Sequence, residues 1–394
     1  MIRKQYKNVK KCLKKGRLVN YFTLGKYSFS PYVACEHGCL YCDGRSEKYF
    51  VSGDFEKDII IRPNLPDLLG SELKKIREPG LISIGSGVSD PYQSVEKGEA
   101  IMTKCLKRIR DNSRLGVSVM TKSNLILRDI DICEKIHEKS GVILMVSLTS
   151  LDENIRQILE PSAPSFSERV ELLREFKSRG MYTGVLALPL IYGITDNFKQ
   201  LESLYEVLKE IDVDFIYPGG LTLRPGVQKD IFFDTIKKNY PDLLHEFQRR
   251  YSNNLSSGSP VKSSTNELYN NLKHLSDKYQ IPIEPPHYMY KDLYPVYDEI
   301  YILLNHMVSL YSANGTDTLN LKKALNAYSV YLDNEKKTFN RRRKIPYKEF
   351  EERFLKNIGS DEFAELINNH KLHTFIKVIV EKRQTFDYLK LKLV

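Results

Sequence analysis

Three of the six cysteines fall within eight residues, in the run Pro31-Tyr-Val-Ala-Cys35-Glu-His-Gly-Cys39-Leu-Tyr-Cys42. The spacing is C-x3-C-x2-C, short enough for one loop to turn three thiolates toward a common centre. Thiolates select iron–sulfur clusters, zinc or copper(I). A four-iron cluster usually takes four cysteines. Three would leave one iron open to an outside molecule, as the open position of a catalytic zinc is. Zinc is the competing reading, with His37 as a fourth ligand. His37 stands two residues from both Cys35 and Cys39, and ligands that close rarely share one tetrahedral ion. Three unligated core thiols are the remaining alternative. Cys12 lies in a basic run, and Cys105 and Cys133 fall in helical patterns, where a buried thiol packs as a small hydrophobe.

A loop of this kind needs a scaffold, and the downstream sequence supplies a candidate. Apolar, β-rich runs at Leu81–Gly85, Gly116–Thr121, Val142–Thr149, Tyr182–Leu188 and Val213–Tyr217 alternate with amphipathic stretches such as Glu99–Asn112, Arg128–Ser140 and Ser165–Gly180. A further strand, with vaguer limits, is expected within Val19–Pro31. Near-continuous apolar strands alternating with helices predict parallel β/α units. Six units predict an α/β fold, a partial TIM-like (β/α)6 barrel, with chemistry on the loops after the strand C-termini. Polar residues fall in those places. Gly85-Ser86-Gly87-Val-Ser-Asp90-Pro-Tyr92 follows Ile84, with Glu96 beyond. Thr121-Lys122-Ser123 follows Met120, and Ser147-Leu-Thr149 follows Val146, with Asp152, Glu153 and Arg156 after it. Glycines let a ligand approach the backbone, and Lys and Arg suit a bound carboxylate.

The cysteine spacing, with aromatic Tyr41 before the last cysteine, resembles the radical S-adenosylmethionine (SAM) superfamily. The resemblance narrows to its spore photoproduct lyase-like branch, often labelled DNA repair photolyases. It is carried by Ser30-Pro31-Tyr32, by the cysteine run, and by Ser89-Asp-Pro-Tyr-Gln93 with Glu96. It continues through Thr121-Lys-Ser123 with Leu127-Arg-Asp129, Ser147 to Asp152 with Arg156, Glu160-Pro161, Pro189 to Asp196 and Leu223-Arg-Pro-Gly226. These runs span about residues 28–230 in the family's order. The resemblance implies a [4Fe–4S] cluster on Cys35, Cys39 and Cys42, with SAM on the open iron. Reductive cleavage of SAM to a 5′-deoxyadenosyl radical and hydrogen abstraction from a substrate would follow. It implies that Gly85, Ser86 and Gly87 line the methionine amino group. Lys122, Ser147 and Arg156 are candidates for the SAM carboxylate or ribose. Tyr41 and Asp90 are expected at the cofactor, with Tyr92 and Glu96 facing the same mouth. Two departures stand out. Asp43, not an aromatic residue, follows the third cysteine. The family's hydrogen-donating cysteine has no counterpart in Ile84-Gly-Ser-Gly87. No catalytic acid, base or hydrogen donor is assigned.

Three segments are expected: a basic N-terminal tail over 1–17, the partial barrel over 18–280, and a mainly α-helical C-terminal region over 281–394. The tail holds eight Lys or Arg in seventeen residues and reads as a solvated arm or as a phosphate contact. Ser252–Thr265, with eleven Ser, Asn, Gly, Pro or Thr in fourteen, reads as a loop. Helices are expected at Glu267–Lys278, Asp298–Ser312, Leu319–Lys337, Tyr347–Ile358, Asp361–His370 and Thr374–Thr385. Lys336, Lys337 and Arg341-Arg-Arg-Lys344 read as a solvated face or, beside Phe339 and Tyr347, as a nucleic-acid grip. The aromatic run Pro286–Tyr294 reads as interdomain packing or as a cover for the barrel mouth. Hydrophobic residues at 41% and charged residues at 28% exclude a wholly disordered chain. No apolar run approaches the ~18 residues of a membrane span, and six uneven cysteines make no disulfide scaffold. The expectation is a cytoplasmic enzyme with no membrane contact, fed electrons by a flavodoxin- or ferredoxin-like donor. A net charge of +10 allows a DNA or RNA substrate. The alternatives are a radical SAM enzyme acting on a peptide or small metabolite, and a non-catalytic, metal-stabilised nucleic-acid-binding protein. Oligomeric state is left open.

Overall fold

The computed structural model describes residues 1–85, 87–112, 114–261, 266–342 and 347–394; the side chains of 112, 266 and 339–342 are left aside. The strands are β1 (Arg3–Tyr6), β2 (Lys14–Asn20), β3 (Gly25–Phe29), β4 (Tyr32–Val33), β5 (Asp58–Ile61), β6 (Leu81–Ile84), β7 (Gly116–Thr121), β8 (Val142–Ser147), β9 (Tyr182–Leu190) and β10 (Phe215–Gly220). The seven-stranded sheet has the order β10-β9-β8-β7-β6-β3-β2. From β3 to β10 every neighbouring pair is parallel, and β2 closes one edge antiparallel to β3. The vaguely bounded first strand is therefore Gly25–Phe29, and the six parallel strands expected from the sequence are present.

Alternation explains why these strands read as continuous apolar runs. On β8, Leu144 and Val146 face the helix layer, and Ile143 and Met145 face the inside of the curved sheet. Both faces are dry, so both parities are hydrophobic. Fully burying one such side chain stabilises the fold by ~1.5–3 kcal/mol. The barrel's helices are α1 (Leu65–Leu73), α2 (Glu96–Glu99), α3 (Ile101–Asn112), α4 (Ile130–Ser140), α5 (Glu153–Leu159), α6 (Phe166–Ser178), α7 (Phe198–Ile211), α8 (Val227–Asn239), α9 (Leu244–Arg250) and α10 (Asn266–Tyr279). Ser165 and Glu168 form a reciprocal capping box that starts α6, which places Arg169 in its first turn.

The N-terminal segment is not a free arm. β1 pairs parallel with β5, and β4 pairs antiparallel with β5, as a separate three-stranded sheet. Between β1 and β2, Cys12 and Leu13 are buried, and their N–H groups donate to the Glu72 carboxylate at 2.8 and 2.9 Å. Lysines dominate this stretch because its strands lie at edges, where charge blocks further pairing.

The C-terminal region is helical: α11 (Val296–Ala313), α12 (Leu319–Arg342), α13 (Tyr347–Asn357), α14 (Asp361–Ile367) and α15 (His370–Lys382), ending in the hairpin β11 (Phe386–Asp387) and β12 (Lys392–Leu393). It has its own core around Tyr297, Tyr328, Phe350, Phe354 and Phe363. The aromatic run before it closes the end of the barrel opposite the expected mouth. Tyr294 packs at Gly80, just before β6, and Leu293 at Gly141, just before β8. Tyr288 donates to Asp214, just before β10, at 2.8 Å. All three contacts lie at strand N-termini, so the run is a floor, not a cover. Lys336 is likewise no solvated cation. It is buried in an ion network with Asp298, Lys26 and Glu78 that ties α12 and α11 to β3. Arg343 and Lys344 lie outside the described residues.

Candidate active site

The cysteine loop follows β4 and is held from several sides. Cys35 N–H donates to Phe55 O at 3.0 Å, Leu40 N–H to Leu159 O at 2.9 Å and Cys42 N–H to Cys39 O at 3.2 Å. Gly38 supplies a left-handed turn at φ +61°, a conformation costly for residues with a Cβ. Arg45 clamps the loop from below: Nε donates to Cys39 O at 2.9 Å and Nη2 to Gly38 O at 2.7 Å, while Glu56 balances its charge. Ser89 Oγ donates to Ala34 O at 2.8 Å, and Gln93 Oε1 accepts from Glu36 N–H at 2.8 Å. The loop after β6 is thereby laced to the cysteine loop.

All six cysteines are free thiols, with Cys35 and Cys39 buried and Cys42 half-buried. Burial raises all three thiols of the loop, Cys39 to about 12. The charges of Cys39 and Cys42 also raise Cys35, and that of Cys42 raises Cys39. Among the described residues no three His, Cys, Asp or Glu side chains form a closed set around one point. A four-iron cluster takes one thiolate per iron, so its ligands stand farther apart than those of a single ion. The donor set of three soft thiols fits such a cluster, whose iron would supply the positive charge needed to deprotonate them. The His37 imidazole is buried, which lowers its pKa, and its Nδ1 faces Asp90 Oδ2 at 3.5 Å.

The strand-end residues sort into two groups. Lys122, Ser147 and Tyr41 meet. Lys122 Nζ donates to Ser147 Oγ at 2.6 Å and lies 5.9 Å from the centre of the Tyr41 ring. Cys42 Sγ donates to Gly87 O at 3.5 Å, so Gly87 touches the cysteine loop, and a Cβ there would meet nothing within 4 Å. Gly85 has φ +99°, and a Cβ on it would lie 2.5 Å from Met120 O, so glycine is required. Ser86 lies outside the described residues. The second group is committed to scaffolding. Asp90 accepts from Tyr92 N–H, Thr121 Oγ1 and Lys122 N–H at 2.7–2.8 Å, joining the loops after β6 and β7. Arg156 donates to Glu153 at 2.6 Å and to the carbonyls of Glu160 and Ala163. Tyr92 and Glu96 do not face a mouth: both are fully buried. Tyr92 donates to Asp129 at 3.1 Å, and Glu96 takes Arg128, Tyr32 and two backbone N–H groups at the start of α3.

Two groups that brace the cysteine loop escaped sequence reasoning. Arg45 is one. The other is the pair Glu160–Arg169, both almost inaccessible. Burial alone would raise Glu160, but Arg169 and Lys122 outweigh it and hold the carboxyl at about 2. Glu160 accepts from Tyr41 OH and Arg169, and Arg169 also donates to Ser147 O at 3.0 Å. The Glu160-Pro161 dipeptide and the Ser165 capping box were the only local signals for it.

Comparison with known proteins agrees with this architecture. The chain is 28% identical over 218 residues to Uncharacterized protein MJ0683 of Methanocaldococcus jannaschii, covering 55% of this chain and 77% of that one. It is 24% identical over 233 residues to Uncharacterized protein Rv2578c of Mycobacterium tuberculosis, covering 57% and 67%. Among solved structures, a spore photoproduct lyase variant shares the fold at a TM-score of 0.50 and 17% identity, over 70% of this chain and 79% of that one. The Radical SAM superfamily profile matches residues 29–208, from the end of β3 into α7. Residues 29–208, just under half of the chain, therefore form a radical SAM domain, and the chain is an enzyme whose cofactors are a [4Fe–4S] cluster and SAM.

Proposed function

We propose that the chain is a spore photoproduct lyase-like enzyme that takes one hydrogen from a nucleic acid, with its cluster on Cys35, Cys39 and Cys42. What carries the reading is the approach of the Lys122–Ser147 pair to Tyr41 of the cysteine loop at the C-terminal ends of parallel strands, where such folds keep their chemistry. When bound, the cluster supplies the electron that splits the S–C5′ bond of SAM and yields a 5′-deoxyadenosyl radical. The chain's own residues bind and orient. Lys122 has three N–H donors and spends one on Ser147, which leaves others for the methionine carboxylate. Gly85 and Gly87 keep the backbone bare beside Cys42. Asp90 positions Lys122 by holding its N–H. Arg156 shapes the loop after α5 and does not bind SAM. A flavodoxin or ferredoxin in a reducing cytoplasm would supply electrons.

Nucleic acid as the substrate class is supported by an ordered basic ribbon. Lys7, Lys10, Lys11 and Lys14 are exposed and make no ion pair among the described residues. They run beside α1 from β1, and the β1–β5–β4 sheet leads straight into Cys35. Phosphates track such ribbons. The test is label transfer. Reduced, iron-loaded enzyme with SAM and a deuterated oligonucleotide should place deuterium in 5′-deoxyadenosine. Label from a deuterated peptide alone would replace the substrate; no 5′-deoxyadenosine under any condition would sink the enzyme assignment.

A further inference from the structure

Glu160 occupies an unusual place. It is buried 2% exposed beside an Arg169 that has no exposure at all, and its three partners come from three different elements. Tyr41 belongs to the cysteine loop, Lys122 directly follows β7, and Arg169 lies in the first turn of α6. The Lys122 ammonium lies 3.6 Å from the Glu160 carboxylate, too far for a hydrogen bond but near enough to be held by its charge. Arg169 adds a fourth element, since its Nη1 holds the carbonyl of Ser147 at the end of β8. Ser147 in turn accepts from Lys122. The backbone repeats the tie: Leu40 N–H donates to Leu159 O, one residue before Glu160. Burying an ion pair is expensive unless geometry and further hydrogen bonds repay it. This pair has that support, and it sits where the cysteine loop and the Lys122–Ser147 pair must be kept in register.

Resting on the proposed function above, we infer that Glu160 and Arg169 are positioning residues that lock the cysteine loop and the carboxylate-binding lysine into one unit. Through Tyr41 the pair fixes the loop that carries Cys39 and Cys42. Through Lys122 and Ser147 it fixes the donors for the methionine carboxylate. SAM bound to both halves would have an affinity that depends on both being set at once. A residue that only held the barrel together would not couple to Lys122.

The test is a double-mutant cycle on SAM affinity, read by equilibrium binding and by the change SAM causes in the electron paramagnetic resonance spectrum of the reduced cluster. Tyr41→Phe removes one hydrogen bond to Glu160 and little volume. Lys122→Met removes the carboxylate donor. Each should weaken SAM about tenfold, the value of one charge-assisted contact, with iron content at the wild-type level. Coupled groups are non-additive, so the double variant should lose little more than Lys122→Met alone. E160Q should match the double variant if it folds, but the conclusion does not need it. Tyr41→Phe binding SAM as tightly as wild type would overturn the inference. So would a hundredfold loss in the double variant, or iron falling in step with SAM binding. A wild-type protein whose cluster spectrum ignores SAM would overturn the functional reading first, and this inference with it.

Discussion

At the scale of single residues, the proposed site rests on three sulfurs held by a loop whose carbonyls are already spoken for. Arg45 occupies the Cys39 and Gly38 carbonyls, and Leu159 and Phe55 fix the loop's N–H groups. The loop's shape therefore does not rest on the thiols. Cys39→Ala should keep the fold, with the midpoint of thermal unfolding lowered by only a few degrees, since it removes one small buried atom costing about 1 kcal/mol. Iron content should fall and 5′-deoxyadenosine production should vanish. Iron assay and product chromatography check both, and retained SAM cleavage would show that Cys39 is no ligand. The gathering of three cysteines on one loop was legible because ligand chemistry fixes residue type and spacing together. The strand-end places of Lys122 and Ser147, which meet in one hydrogen bond, were legible because a polar residue at the end of a buried strand stands out. Arg45, Glu160 and Arg169 were not, because their partners lie in other elements and no local pattern marks a buried charge. Tyr92 and Glu96 misled for the opposite reason. They stand in the same run as Asp90, but the chain turns them inward, where Tyr92 meets Asp129 and Glu96 meets Arg128.

At the scale of elements, the parallel strands were readable because burial on both faces leaves no polar positions to break the run. Their ends were less so: Val142–Ser147 stops two residues short of the expected Thr149, since Leu148 and Thr149 turn into the loop above the strand. The N-terminal strands were missed because a lysine-rich edge strand has too few apolar positions to show a period, and what orders it is the Glu72 carboxylate and two buried residues. The most consequential helix start is that of α6. Ser165 accepts from Glu168 N–H at 3.1 Å and Glu168 accepts from Ser165 N–H at 2.8 Å, satisfying donors that a helix N-terminus otherwise leaves bare. Ser165→Ala should cost about 1 kcal/mol, seen as a lower urea midpoint with unchanged slope. Because Arg169 sits in the turn this cap defines, the same variant should also weaken SAM binding modestly. A lower midpoint with SAM affinity untouched would separate the cap from the site.

At the scale of the whole molecule, the barrel's floor is built by the C-terminal region. Met289, Tyr290 and Tyr294 share a core with Leu81, Ile143 and Phe215. Below them runs a buried polar chain: Tyr290 OH lies 2.8 Å from Tyr388 OH, Tyr388 OH 2.8 Å from His306 Nδ1, and His306 Nε2 3.0 Å from Tyr21 O. Burial lowers His306 to about 4, so the ring is neutral at pH 7 and donates to Tyr21 from Nε2. Glu284 stands beside this chain, 3.7 Å from His306, and its Oε2 has no hydrogen-bond partner among the described residues. Burial pushes its carboxyl up to about 8, against about 4.3 for an unperturbed glutamate. Between those two values the folded chain holds a proton that the unfolded chain has released, so stability falls as pH climbs from about 4.5 through 8. Below about 4.5 both states are protonated and the penalty is absent. A neutral amide carries no such penalty at any pH. E284Q should therefore nearly match wild type in urea at pH 4.5 and exceed it by on the order of 5 kcal/mol at pH 8.5. The gap should open steadily across the interval. Parallel wild-type and variant profiles would mean that Glu284 is ionised in the fold and that the floor admits water, which would also unsettle a barrel that has to keep a radical from solvent.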